Sequence, residues 1–216
     1  MKIKYIMCLL FFFICLSANA QTSIGIKSSL YMSFNKSSEI QLDDELDFLT
    51  YELTFVEEDV SPSFGVFGIM ENELLFLRMD IAYREIKSRF RYINYLNFQD
   101  LEPVKLEKRE RSIIVPFQMG LKFDRFKFGA GPVLSYSFSE DTVLAQIESL
   151  EERNKKLTSG FVVGFSIKAN NLIFDIQYEQ RFHGAAEDIY YRGDKKSFDQ
   201  ASRYVGLGLA YVFELN

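Results

Sequence analysis

The chain contains a single imidazole, His183. To work as a catalytic base it needs a nucleophile within reach and an acid to orient it. The next residues are Gly184-Ala185-Ala186, with Glu187 the nearest acid downstream, so no hydroxyl stands beside it and the residue reads as a loop anchor. Carboxylates cluster between positions 39 and 59: Glu39, Asp43, Asp44, Glu45, Asp47, Glu52, Glu57, Glu58 and Asp59 stand against Lys36 alone. Hard cations such as calcium take clustered carboxylates, but this spacing matches no EF-hand, and a solvated, self-repelling loop accounts for it. Asn35-Lys36-Ser37 matches a glycosylation sequon at background frequency. There is no Gly-rich phosphate loop, no metal-ligand cluster and no nucleophile paired with a base. The sequence therefore predicts no catalytic, cofactor-binding or metal-binding residues.

Both cysteines, Cys8 and Cys15, belong to a segment that reads as an export signal. Met1-Lys2-Ile3-Lys4 supplies a positive start, Tyr5 to Leu16 an apolar stretch, and Ser17-Ala18-Asn19-Ala20 a small-residue site with cleavage between Ala20 and Gln21. The apolar stretch is shorter than the roughly 20 residues of a spanning helix. Ile14 occupies the place before Cys15 where a lipoprotein signal has a small residue, which argues against acylation there. Residues 1–20 are thus expected to be a signal peptide and 21–216 one domain. Lys2 and Lys4 leave with the signal, and the 30 Asp and Glu then outnumber the remaining Lys and Arg by seven. An acidic exported chain is a poor partner for nucleic acid, and without Cys it has no disulfide framework.

Twenty-two Phe and 12 Tyr with no Trp favour strands, and alternation with period two points the same way. Ile24, Ile26, Leu30 and Met32 alternate with Gly25, Lys27, Ser29, Tyr31 and Ser33. The same pattern recurs over 75–84, 113–123, 126–138, 161–168, 172–183 and 204–213. An eighth strand, about Ser61 to Met70, is apolar on both faces and has no readable phase. Links after the second, fourth and sixth strands are tight, at Glu71-Asn72-Glu73, Asp124 and Asn170-Asn171. Those after the first, third, fifth and seventh are long, roughly 35–60, 90–111, 139–158 and 184–201. Strict alternation of short and long links puts turns on one rim and loops on the other. The expected fold is all-β, an eight-stranded antiparallel up-and-down transmembrane β-barrel of the outer-membrane type.

Alternation does not say which face lies inside. In a soluble ligand-binding barrel, such as would work in the periplasm, the apolar face lines the cavity; in a membrane barrel the phase is inverted. Gly and Ser on the polar face suit a narrow interior, Phe and Tyr near strand ends suit interfacial girdles, and the chain is exported, so the membrane phase is expected. Lys27, Arg78, Arg84, Lys122, Lys127, Lys168 and Arg181 then point inward with Asp80, Asp175 and Glu179. These could line a polar channel, but an interior of this size is filled by side chains and its charges are expected to pair as a plug. In the second loop Arg89, Arg91, Lys105, Lys108, Arg109 and Arg111 are mostly basic. Their charge suggests contact with the acidic first loop, or else with lipopolysaccharide phosphates, the first being preferred. In the third, Val143, Ile147 and Leu150 recur at helical spacing and predict a short amphipathic helix capping the barrel. Gly208, Tyr211 and Phe213 resemble a C-terminal signal read by the barrel-insertion machinery.

Three stretches carry a family resemblance: Ser112-Ile113-Ile114-Val115-Pro116-Phe117, Gly120-Leu121-Lys122-Phe123, and Phe128-Gly129-Ala130-Gly131-Pro132-Val133-Leu134-Ser135-Tyr136. Together they resemble the central strands of the PorT-like outer-membrane β-barrel family common in Bacteroidetes. The resemblance implies an eight-stranded barrel without assigned chemistry, its namesake being tied to type IX secretion. The reading that results is a small non-enzymatic, porin-like protein of the cell envelope. It sits in outer-membrane lipid after export and meets an envelope protein through its outer loops. A lipid A-modifying enzyme is the second reading, against which the isolated His183 weighs; a component associated with type IX secretion and a soluble periplasmic barrel are the others.

Overall fold

The computed structural model describes residues 20–35, 37–43, 49–95, 102–142, 150–153, 156–182, 188–191, 194–196 and 202–214. They form thirteen strands, all antiparallel where paired: β1 Gln21–Ser33, β2 Ser38–Asp43, β3 Leu49–Glu58, β4 Ser61–Glu71, β5 Leu75–Asn94, β6 Val104–Phe123, β7 Phe126–Thr142, β8 Leu150–Arg153, β9 Leu157–Ala169, β10 Leu172–Arg181, β11 Asp188–Tyr191, β12 Asp194–Lys196 and β13 Arg203–Glu214. Eight of them close a ring, β1-β4-β5-β6-β7-β9-β10-β13 and back to β1. A closed ring leaves no edge to aggregate and lets every backbone group pair between strands, the condition for crossing lipid with strands.

Local chemistry explains the tight rim. Phe123 pairs with Phe126 and Ala169 with Leu172, leaving Asp124-Arg125 and Asn170-Asn171 as two-residue turns. Asp124 and Asn170 each take φ of 54°, a left-handed conformation that Asp and Asn tolerate better than most residues. At the third turn the Asn72 side-chain oxygen accepts from the amides of Leu74 and Leu75 at 3.0 and 2.7 Å.

The long-loop rim differs from its expected form. Ser38–Asp43 and Leu49–Glu58 pair with each other as β2 and β3, and β3 lies against the upper part of β5 from Ser88 to Asn94. Most of 90–111 is strand as well, since β5 and β6 each run 20 residues and pair as far as Tyr92 with Val104. Alternation continues there with charged residues on its outer face, which conceals it from a search for apolar periodicity. Inside this wall Ile40, Leu42, Tyr51, Leu53, Phe55, Phe90, Leu106 and Tyr191 form a core of their own. Tyr51 stacks on Tyr92 at 5.5 Å and meets Tyr191 edge-on at 5.8 Å; burial, and then the neighbouring phenols of Tyr51 and Tyr191, push the Tyr92 phenol up to about 12. The expected helix in the third loop is corrected at both ends: Asp141 and Thr142 extend β7, and Leu150–Arg153 is a strand paired with β11. Val143 and Ile147 lie outside the described residues, as do Asp44, Glu45, Asp47, His183 and Glu187.

Burial settles the phase. Ile24, Ile26, Leu30 and Met32 are exposed, while Ser23, Lys27, Ser29 and Tyr31 between them are buried, and the inversion holds in every barrel strand. The unphased strand β4 resolves with Ser61, Ser63, Phe67, Ile69 and Glu71 inward and Phe64 and Val66 outward. Rings meet at two levels of the outer surface. Near the tight turns Phe126 stacks on Phe165 at 6.0 Å and Tyr211 meets Phe213 at 5.2 Å; near the long-loop rim Tyr83 meets Phe138 at 6.2 Å and Phe161 meets Phe182 at 6.2 Å. Two aromatic levels bounding an apolar band are what the interfaces of a bilayer select.

The barrel interior as candidate functional site

Side chains fill the interior in successive levels. Next to the tight turns Glu71 receives Lys122 at 3.1 Å and Lys127 on its second oxygen. Above it Phe67, Ile69, Phe76, Ile173, Ala210 and Val212 make an apolar plate. The unphased β4 contributes two of its members.

A four-charge cluster sits on that plate. Lys27 lies 3.1 Å from Asp80 and 3.4 Å from Asp175, and Arg78 lies 2.7 Å from Asp80 and 3.0 Å from Asp175. Each cation touches both carboxylates, so the cluster is neutral as well as paired. The Arg78 guanidinium also rests 4.5 Å from the centre of the Phe67 ring, a stacking geometry that an ammonium does not match.

The next level is built on Glu179. Arg84 donates to it through both terminal nitrogens at 3.0 and 2.8 Å, and Arg181 Nε donates at 3.0 Å. The Arg84 plane lies 3.6 Å from the Tyr31 ring centre, and Arg181 lies 5.3 Å from that of Tyr204. Tyr31 in turn donates to Gln177 at 2.9 Å. Glu110 adds a second carboxylate, 3.8 Å from Arg181, and accepts from Ser137. Between these two levels Lys27, Ser29, Tyr31, Asp80, Arg84 and Pro116 border a cavity with room for about one water molecule. The β5 to β6 ladder skips from Met79–Phe117 to Ala82–Ile114 beside it, where Pro116 has no N–H to donate.

The inward charges read from alternation are therefore sorted by the fold into separate groups: Lys27, Arg78, Asp80 and Asp175; Arg84, Arg181 and Glu179; Lys122 and Lys127 with Glu71. Lys168 is half-buried at the tight-turn end. Glu71 and Glu110 are the participants that the sequence left in a turn and in a loop. Continuing the alternation of β6 a few residues past its apolar part would have found Glu110, whereas Glu71 follows only once the pairing of β4 with β1 sets the phase of that strand.

Small inner residues make room for these large ones. A Cβ on Gly206 would stand 2.4 Å from the Tyr31 ring and one on Gly208 2.7 Å from Ser29 Oγ. Tyr31 is clamped between Arg84 and Gln177 and has little freedom to retreat. Gly206→Val is expected to destabilise the barrel by about 1–3 kcal/mol through overpacking, measured as a lowered urea midpoint for refolding into vesicles, with Gly68→Val near neutral because nothing stands within 4 Å of that position.

Outside the barrel the acidic and basic loops do meet: Arg89 pairs with Glu57 at 2.8 Å and with Asp59 at 2.7 Å. All three are partly exposed, and such pairs contribute little individually. Tyr211 and Phe213 point outward, while Gly208 points inward.

No protein-family model matches the chain, nor does any curated protein sequence. Solved structures similar to it include three outer-membrane proteins. The N-terminal β-barrel domain of OprF from Pseudomonas aeruginosa is 10% identical, with 90% of this chain and 100% of that one covered and a TM-score of 0.34. The outer membrane protein AlkL in DMPC bilayers is 14% identical, covering 92% and 93%, at 0.45. The transport unit of the autotransporter AIDA-I from Escherichia coli is 11% identical, covering 93% and 92%, at 0.31. The fold assignment rests on the strand pairing and burial described above: a closed eight-stranded antiparallel barrel with an apolar exterior and a polar, ion-paired interior.

Proposed function

We propose that this protein is a sealed, non-enzymatic outer-membrane barrel whose wall of strands beyond the long-loop rim carries its role as a structural or interaction module of the envelope. The observation that carries the reading is the inversion itself. Ile81, Phe128, Phe174 and Leu207 face out at 47 to 55% exposure while Arg84 and Glu179 are buried inside, an arrangement that water would penalise and lipid rewards. The lumen is closed by an apolar plate and three ion-paired levels, so no continuous water column runs along it. Export and insertion are implied by the leader ending at Ala20 and by the Gly208, Tyr211 and Phe213 signal; lipid neighbours and the insertion machinery are the corresponding partners. The resemblance to PorT-like barrels supports the scaffold only, and a secretion role is not carried over from it.

Two measurements test the reading. Fractionation is expected to recover the mature chain in the outer membrane and to show a heat-modifiable shift on gels; a soluble protein with no shift would overturn it. In planar bilayers the purified barrel is expected to give no stable openings, and nanosiemens steps would refute the sealed lumen.

A further inference from the structure

The outer face of β5 and β6 changes character at one register. Going up β5 the outward positions are apolar from Leu75 to Tyr83 and then become Glu85, Lys87, Arg89 and Arg91; going down β6 they are charged from Lys105 to Arg111 and then become Ile113, Val115 and Phe117. The last apolar pair, Tyr83 with Ile113, adjoins the first charged pair, Glu85 with Arg111. The apolar stretch of β5 has about the nine residues that a tilted strand needs to cross a hydrocarbon core, so the charged face begins where headgroups begin.

Four cross-strand pairs make up this face, and two of them set like charges opposite each other. Lys87 faces Arg109 and Arg91 faces Lys105, an arrangement that costs stability unless an anion lies between. Arg109 is engaged by Glu107 at 2.9 Å. Among the described residues Lys87, Arg91 and Lys105 have no ion-pair partner. Acids border the face as well, Glu85 and Glu107 within it, Glu52, Glu57 and Asp59 on the β3 side and Asp141 opposite Arg109, and among the described residues they leave Lys87, Arg91 and Lys105 outside any ion pair.

We propose that this face binds the phosphate groups of the glycolipid that makes up the outer leaflet, with Lys87 nearest the hydrocarbon boundary and Arg91 and Lys105 farther out. The inference rests on the membrane reading above and adds to it a lipid class and a leaflet. Oriented cations above a lipid-facing belt attract anionic headgroups by charge and hold them by continuity with the belt.

The test uses the refolded full-length mature barrel in zwitterionic detergent, with bisphosphorylated lipid A as the probe and its dephosphorylated form as the control, both followed by native mass spectrometry and thermophoresis. The phosphorylated probe is expected to bind, to weaken as salt rises, and to lose affinity on the order of 100-fold in a Lys87→Ser, Arg91→Ser, Lys105→Ser variant, as the removal of three interfacial cations implies. Equal binding of the two probes by the wild-type protein, or unchanged affinity in the variant, would overturn the proposal. The comparison of probes on wild type needs no variant to fold. Failure of the wild-type protein to insert into phosphatidylcholine vesicles would instead strike the membrane reading, whereas insertion without phosphate preference strikes this proposal alone.

Discussion

Glu179→Gln is expected to destabilise the barrel by about 3–5 kcal/mol, the cost of leaving buried cations without their counter-charge. The amide oxygen of Gln can still accept at the position shared by Arg84 and Arg181, but its NH2 cannot accept the second Arg84 bond and the negative charge is gone, and Tyr31 and Tyr204 stack on the stranded guanidinium groups but carry no charge to offset theirs. The readout is the urea midpoint of refolding into vesicles and the temperature of the heat-modifiable transition. The complementary replacement separates charge pairing from packing. Exchanging Lys27, Arg78, Asp80 and Asp175 together for apolar residues of similar size removes a neutral cluster whole, and is expected to cost far less than any single exchange within it. If Glu179→Gln and the fourfold variant have the same midpoint, the interior is not held by pairing.

Met79→Arg is expected to cost about 2–4 kcal/mol, and a charge placed at Val104 close to nothing. Met79 is the middle outward position between Leu75 and Tyr83 and is 46% exposed, so in lipid a guanidinium there lies near the midplane with the greatest distance to either interface. Val104 is 52% exposed and lies at the far end of β6, opposite Tyr92 and on the face it shares with Leu106, well beyond the apolar band. A soluble barrel would tolerate both substitutions equally, and would gain solubility from each. Refolding yields of the two variants in vesicles of matched composition therefore measure where the hydrocarbon lies as well as whether it is there.

Much of this fold was legible one strand at a time. The side-chain period of a strand is local, so the alternation of Ile24, Ile26 and Leu30 against Lys27 and Ser29, or of Phe174 and Ile176 against Asp175 and Gln177, needs no partner strand to be seen. Link lengths are local too, and Asn170-Asn171 announces its turn by residue type. The wall above the barrel escaped because its strands bury one apolar face and expose a charged one. Arg89, Arg91 and Lys105 look like loop residues until Phe90 and Leu106 between them are known to be core. The helix expected around Val143 and Leu150 fails at Leu150–Arg153 for a related reason: pairing with β11 supplies strand hydrogen bonds that a short helical pattern does not reveal.

The candidate site divides along the same line. That Lys27, Arg78, Arg84, Arg181, Asp80, Asp175 and Glu179 point to one side was determined by the sequence, because facing depends only on parity along each strand. Which of them meet was decided by the tertiary structure, because it depends on register and stagger between strands far apart in the chain, 97 positions for Arg78 and Asp175 and farther still for Lys27 and Asp175. The same holds for Phe67 and Ile69. Strand β4 is apolar on both faces, so its own residues do not choose an inside; its pairing with β1, which sets Phe67 beside Gly25 and Ile69 beside Ser23, makes the choice and closes the barrel with an apolar plate.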